Sequence, residues 1–103
     1  MCGKAEAPTG YRIVDTCPEL NIKSLADKRV LYAWPQHEMW RLGRIAKPGE
    51  KGSKLTDEEQ DVYNFVIKYS SRLSGVVADI AVCLREDQYG VEGGAKWVLV
   101  EKV

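Results

Sequence analysis

The sequence predicts a small, mainly β domain. Three short segments rich in β-branched and aromatic residues indicate strands, at residues 29–34, 40–45 and 96–103. Residues 35–38 form a polar turn, so the first two strands pair as a hairpin. The whole chain of 103 residues has the length of one domain.

The charge balance argues against a domain dedicated to nucleic-acid binding, because such domains are usually strongly basic. Fifteen Lys and Arg residues balance fifteen Asp and Glu residues, which gives a formal net charge of zero. The apolar runs are too short for a membrane span, and residues 1–10 do not have the pattern of a signal segment. We therefore expect an intracellular protein, nuclear or cytoplasmic, that does not enter a membrane.

Residue types that carry catalysis or bind metals are few and scattered. Cys2, Cys17 and Cys83 have no repeated spacing, and His37 is the only histidine. Zinc sites need paired Cys or His at short intervals, and covalent catalysis needs a nucleophile beside a base. The sequence therefore predicts no metal site, no cofactor and no enzymatic activity.

Two segments outside the predicted strands are expected to be at least partly flexible. Residues 1–27 are expected to form an N-terminal arm that is partly flexible, with residues 11–14 as a short strand or an extended segment. Residues 47–54 contain one Pro, two Gly and three Lys, a composition typical of a mobile loop.

The middle of the chain has two interpretations. Thr56 and Glu59 form a capping-box pattern, and apolar residues follow at helical spacing, which together predict a long helix near residues 57–84. Serine, glycine, β-branched and aromatic residues in the same stretch disfavour that helix. The alternative is a pair of strands at residues 63–69 and 76–84. The local pattern favours neither.

A series of short motifs resembles Tudor-like modules of the royal family, and also uncharacterised eukaryotic segments associated with transposable elements. The motifs are VLYAW (30–34), WRLGRI (40–45), NFVIKY (64–69), YG (89–90) and WVLVE (97–101). They extend over about three quarters of the chain. The resemblance implies an SH3-like barrel of five antiparallel strands at residues 28–103, and it favours strands over a helix in the middle.

The resemblance also implies non-catalytic recognition of methylated lysine or arginine in a chromatin-related context. Such modules hold the cation in a cage of aromatic rings, and a methylated histone tail is a typical partner. Trp34 and Tyr69 match two cage positions, while three others fall on Arg41, Ser71 and Leu73. Tyr32 and Tyr89 are further candidates for the aromatic pocket.

Two other functions remain open. Five basic residues on the second strand and the following loop could contact nucleic-acid phosphates: Arg41, Arg44, Lys47, Lys51 and Lys54. An acidic stretch at residues 55–61 follows them, so this face is also compatible with an ordinary solvated surface. A general protein–protein interaction domain is the third interpretation, and the oligomeric state is not assigned.

Overall fold

A computed structural model describes residues 4–34, 39–52, 54–70, 77–92 and 94–103. These residues form one open antiparallel sheet of six strands, with two short helices and one 3₁₀ turn, which confirms the mainly β prediction. The strands are β1 Tyr11–Ile13, β2 Arg29–Trp34, β3 Met39–Ile45, β4 Phe65–Tyr69, β5 Ala78–Val82 and β6 Trp97–Lys102. The helices are α1 Ile22–Leu25 and α2 Asp57–Gln60, and the 3₁₀ turn is Glu86–Gln88.

The sheet combines a meander with a returning strand. Its order is β1-β6-β2-β3-β4-β5, so β2 to β5 follow one another and β6 returns to pair with β2. The β2–β3 hairpin joins the two strands that the sequence predicted most directly, and its register places Tyr32 opposite Arg41. The hairpin turn at residues 35–38 lies outside the described residues.

The interpretation of residues 57–84 as one long helix is wrong. The capping box is present, because the Thr56 hydroxyl accepts from the Glu59 amide at 3.2 Å, but α2 ends at Gln60. Residues 65–69 instead form β4, which pairs with both β3 and β5. β-branched and aromatic residues favour strands over helices, and pairing on both sides supplies the backbone hydrogen bonds of β4. The segment between the two predicted strands, residues 70–75, lies, except for Ser70, outside the described residues.

The N-terminal region contributes a strand that a five-stranded barrel does not include. β1 pairs with β6 along its whole length, and the Val14 amide extends the ladder by donating to the Leu99 carbonyl at 2.9 Å. Ala5 is buried against the sheet, and Leu25 of α1 is fully buried. This region therefore covers apolar surface and pairs one edge of β6.

The central strands are buried on both faces because two apolar clusters lie on opposite sides of the sheet. We call the cluster that contains Val30 the inner cluster, and Tyr32 and Trp34 pack against it. We call the cluster that contains Leu31 the outer cluster. The outer cluster also contains Ala5, Leu42, Val98 and Val100. The side-chain alternation of β2 therefore sends its aromatic residues to one face, where they can meet residues of β3 and β4.

Candidate functional site

Trp34 and Tyr69 form a hydrogen-bonded aromatic pair at the ends of β2 and β4. The Trp34 indole Nε1 donates to the Tyr69 hydroxyl oxygen at 2.9 Å. Their ring centroids lie 5.1 Å apart with an interplanar angle of 86°, an edge-to-face arrangement. Tyr69 is buried and Trp34 is half-buried. The pair thus fixes the orientation of an indole that is still partly open to solvent.

Gly43 of β3 provides the space into which Tyr69 packs. A Cβ atom at this position would lie 2.9 Å from Tyr69 Cε1 and 2.5 Å from Ile67 Cγ2, which is closer than van der Waals contact allows. Gly43 is itself buried. Gly43 is therefore required for Tyr69 to approach β3.

A cation already lies over the Trp34 ring. The central guanidinium carbon of Arg41 is 4.9 Å from the ring centroid, within the range of a cation–π interaction. Arg41 is half-buried on β3, opposite Tyr32 and two residues beyond the partner of Trp34. In the sequence, Arg41 is a candidate phosphate contact and also falls on one cage position of the resemblance. The structure places its guanidinium over the Trp34 ring.

Tyr69 and the nearby Tyr32 keep neutral hydroxyls. Burial raises the pKa of Tyr69 to about 12, which outweighs the opposing effects of the Trp34 hydrogen bond and the Arg41 charge. Burial also raises the pKa of Tyr32, and the nearby Cys83 and Tyr63 groups add to that rise. We use the name aromatic cluster for Tyr32, Trp34, Arg41 and Tyr69. It presents ring surfaces, neutral hydroxyls and one fixed cation.

Tyr89, the fourth aromatic candidate, has different partners. Its hydroxyl donates to the Val14 carbonyl and accepts from the Leu99 amide at 3.2 Å. Its ring packs edge-to-face on Trp97, with centroids 4.8 Å apart. Tyr89 therefore joins the N-terminal region to β6, and these contacts give it a structural role.

Arg44, a candidate phosphate ligand, is occupied by two carboxylates. Its guanidinium binds Glu50 through two hydrogen bonds of 2.9 and 2.5 Å and contacts Asp27 at 3.2 Å. Hydrogen bonding from the Arg44 guanidinium, together with a hydrogen bond from the Lys47 amide, lowers the pKa of Glu50 to about 2. The Arg44 side chain is only 22% exposed, so the structure uses it to anchor the following loop.

The loop after β3 folds back on the sheet at two points, although its composition predicted a mobile segment. Glu50 is one point, and Gly52 is the other. Gly52 has φ +83°, and a Cβ there would lie 2.4 Å from a carboxylate oxygen of Asp79, which pairs with Lys68. The remaining candidates for phosphate binding are exposed side chains: Lys47, Lys51 and Lys54.

Among the described residues, no cluster of three or more His, Cys, Asp or Glu side chains is arranged to hold a metal ion. In the same part of the chain, no helix is long and apolar enough to cross a membrane.

Comparison with known proteins gives no assignment: no protein family, curated protein or solved structure matches the chain. The site is therefore defined by its own geometry. The structure brings three of the four predicted aromatic residues into one cluster with Arg41. The β2–β3 register is the feature from which the place of Arg41 beside the aromatic residues follows. Pairing residues 29–34 with 39–44 around a four-residue turn places Tyr32 opposite Arg41.

Proposed function

We propose that this domain is a non-catalytic recognition module that binds a methylated lysine or arginine of a peptide on the face of Trp34. The observation that carries this proposal is the Arg41 guanidinium 4.9 Å from the Trp34 ring centroid. This ring face accepts a cation in the protein's own packing. A ligand cation of similar size would use the same electrostatic attraction.

The surroundings of Trp34 suit a methylated cation. Methylation removes hydrogen-bond donors from the ligand nitrogen and leaves it a diffuse positive charge, which aromatic faces bind without hydrogen bonds. The Tyr69 hydroxyl holds the indole in place, so little order has to be gained on binding. Tyr32, half-buried in the same cluster, offers a second ring.

We also propose that the sheet is an SH3-like barrel of the royal-family type with an added N-terminal strand. Two features support this assignment. The four-strand meander β2 to β5 is followed by a final strand that pairs back with the first, and the 3₁₀ turn lies between β5 and β6. A chromatin-related context, with a methylated histone tail as the partner, is part of this proposal.

The test is a titration of isotope-labelled protein with peptides that carry unmodified, trimethylated or dimethylated side chains. We expect the Trp34 indole resonance to shift with the methylated peptides and not with the unmodified peptide. Trp34→Ala should abolish the binding. Trp40→Phe is the matched control, because Trp40 packs with the outer cluster on the opposite face. Equal affinity of Trp34→Ala and the wild type would refute the proposal.

A second candidate, nucleic-acid binding, is supported by the exposure of Lys47, Lys51 and Lys54. Binding through these lysines would weaken steeply with salt, because phosphate contacts release counterions. Replacing the three lysines with glutamine should remove the affinity for a DNA or RNA oligonucleotide and flatten its salt dependence. Unchanged affinity in this variant would exclude the loop as the interface.

A further inference from the structure

The β5 strand forms an open edge of the sheet. It pairs with β4 on one side, and no strand among the described residues pairs with it on the other. The Val82 carbonyl accepts from the backbone amide of Asn64 at 2.9 Å, so the backbone groups of Val82 face β4. Because these groups alternate in direction along an antiparallel strand, the backbone N–H and C=O groups of Asp79 and Ala81 face the open edge. This edge therefore offers hydrogen-bonding groups in strand geometry to another chain.

The other edge of the sheet, at β1, is protected. β1 has only three residues, and the Val14 amide beyond it donates to β6. Alternation directs the Tyr11 amide away from β6, and there it donates to the Pro8 carbonyl at 3.0 Å. β5, in contrast, has five residues and contains neither Lys nor Pro, which natural edge strands use to block pairing. Its one charged residue, Asp79, binds Lys68 at 3.1 Å, so the edge of β5 lacks this protection.

The sequence of the β5 edge is complementary to itself. When two copies of β5 lie antiparallel with Ile80 opposite Ile80, the whole strand pairs with its copy and Asp79 lies opposite Ala81. The outward backbone groups of Asp79 and Ala81 then form a hydrogen-bonded pair, as their direction requires. A shift by two residues in either direction shortens the paired segment, and in one direction it opposes Asp79 to its own copy, where like charges repel. The length and the charge pattern of β5 therefore favour this register.

The side chains at this edge suit pairing with a second copy. On the inner face, Ile80 is half-buried beside the inner cluster, and pairing would bring it against its copy. On the outer face, Val77 is 81% exposed and would lie opposite Cys83, which is also exposed. The two Asp79 carboxylates would be diagonal neighbours there, and each keeps its ion pair with Lys68. Pairing would thus cover an exposed valine and would leave no unpaired aspartate at the contact.

We propose that two copies of this domain associate through β5, as an antiparallel pair of edge strands that joins the two sheets into one. The partner is a second copy because the edge matches its own sequence over the full length of the strand. The contact is confined to one short strand per copy, which is smaller than the interface of a permanent dimer, so we expect a dissociation constant of about 0.1 mM. The inference does not depend on the ligand proposed for Trp34.

Sedimentation velocity of the full chain in reductant, below and above the expected dissociation constant, measures the association. Ala81→Pro removes an N–H group that faces the open edge and keeps the hydrogen bonds to β4, and edge strands tolerate proline at such positions. It should weaken the dimer at least about tenfold. Ala81→Ser is the matched control, because it keeps the amide, and it should dimerise like the wild type. A wild type that stays monomeric throughout, or an Ala81→Pro variant that dimerises as tightly as the wild type, would overturn the inference.

A disulfide cross-link tests the register, and it also decides the question if Ala81→Pro does not fold. In the proposed pair, Val77 of one copy lies opposite Cys83 of the other with a Cα separation of about 5.5 Å, which a disulfide can bridge. Within one copy the two positions are about 20 Å apart along the strand, so a disulfide between them has to join two copies.

We expect Val77→Cys to form this disulfide under mild oxidation, and mass spectrometry of the cross-linked peptides identifies the two positions. Val103→Cys, at an 86% exposed valine beyond the end of β6, is the control for random collision with Cys83. Its yield should be much lower. Equal cross-linking of Cys83 to both introduced positions would show that β5 does not pair with its copy in this register, and would overturn the inference.

Discussion

The Trp34 indole nitrogen donates a hydrogen bond to the Tyr69 hydroxyl at 2.9 Å, across 35 residues of sequence. This bond joins the end of β2 to the end of β4, which are not neighbours in the sheet because β3 lies between them. Gly43 of β3 leaves room for the Tyr69 ring, since a Cβ atom there would lie 2.9 Å from Tyr69 Cε1. The orientation of the candidate ligand-binding ring therefore depends on three strands.

Removing the Tyr69 hydroxyl tests this bond. Tyr69→Phe keeps the buried ring and removes the acceptor of the Trp34 hydrogen bond, so we expect a loss of about 1 kcal/mol in the free energy of unfolding. The Trp34 indole resonance should also move. Denaturant unfolding measures the first effect. Tyr63→Phe, at a 37% exposed tyrosine, is the control and should change neither quantity.

Adding a methyl group at Gly43 should disturb the same pair from the opposite side. The new Cβ of Gly43→Ala would lie 2.5 Å from Ile67 Cγ2, and overpacking of this kind costs about 1–3 kcal/mol. Gly49→Ala is a useful comparison, because Gly49 has φ +79° with no atom near its Cβ position. It tests backbone strain alone and should leave the Trp34 indole resonance unchanged. A Gly43→Ala protein as stable as the wild type would contradict the packing described for Tyr69.

The free energy of unfolding should fall in acid as Glu50 becomes protonated. Its pKa is lowered from 4.5 to about 2 in the folded protein, so the stabilisation is present above pH 4.5 and decreases as the pH falls towards about 2. Glu50→Gln should be less stable than the wild type at neutral pH, and the difference should shrink as the pH falls through this interval. Denaturant unfolding at several pH values measures this. Glu58→Gln, at an exposed glutamate of α2, should show no such convergence.

The raised pKa of Tyr69 predicts that the free energy of unfolding falls at alkaline pH. Its pKa is raised from 10 to about 12, so the folded state disfavours the phenolate. The stabilisation is complete below pH 10 and decreases as the pH rises from 10 towards about 12, because the unfolded chain releases the proton first. A tyrosine absorbance titration combined with unfolding curves measures both effects. Tyr69→Phe should lack this part of the alkaline decrease.

Tyr89→Phe should weaken the attachment of the N-terminal region. The variant loses the hydroxyl that binds the Val14 carbonyl and the Leu99 amide, which we expect to cost about 1–3 kcal/mol. Amide hydrogen exchange should become faster at Val14, whose amide donates to the Leu99 carbonyl. Exchange at Ile67 in the buried β4 is the internal control. An unchanged exchange rate at Val14 would show that Tyr89 does not hold the N-terminal region in place.

Much of the sheet could be predicted from the sequence because its signals are local. Alternation and turn residues located β2, β3 and β6, and the capping box located the start of α2. The same local signals failed between residues 57 and 84, where helical spacing and strand composition coincide. Pairing of β4 with strands on both sides decided that region, and such pairing has no local signature.

The sequence by itself determined that Trp34 ends a strand and that Lys47, Lys51 and Lys54 lie in a polar loop. Only the tertiary structure decided which groups these residues meet. It placed Arg41 on the Trp34 ring and Arg44 on two carboxylates, so two predicted phosphate ligands are engaged within the protein. The physical reason is that composition and periodicity set the conformation of each segment, whereas side-chain partners depend on strand register and on the space left by residues such as Gly43.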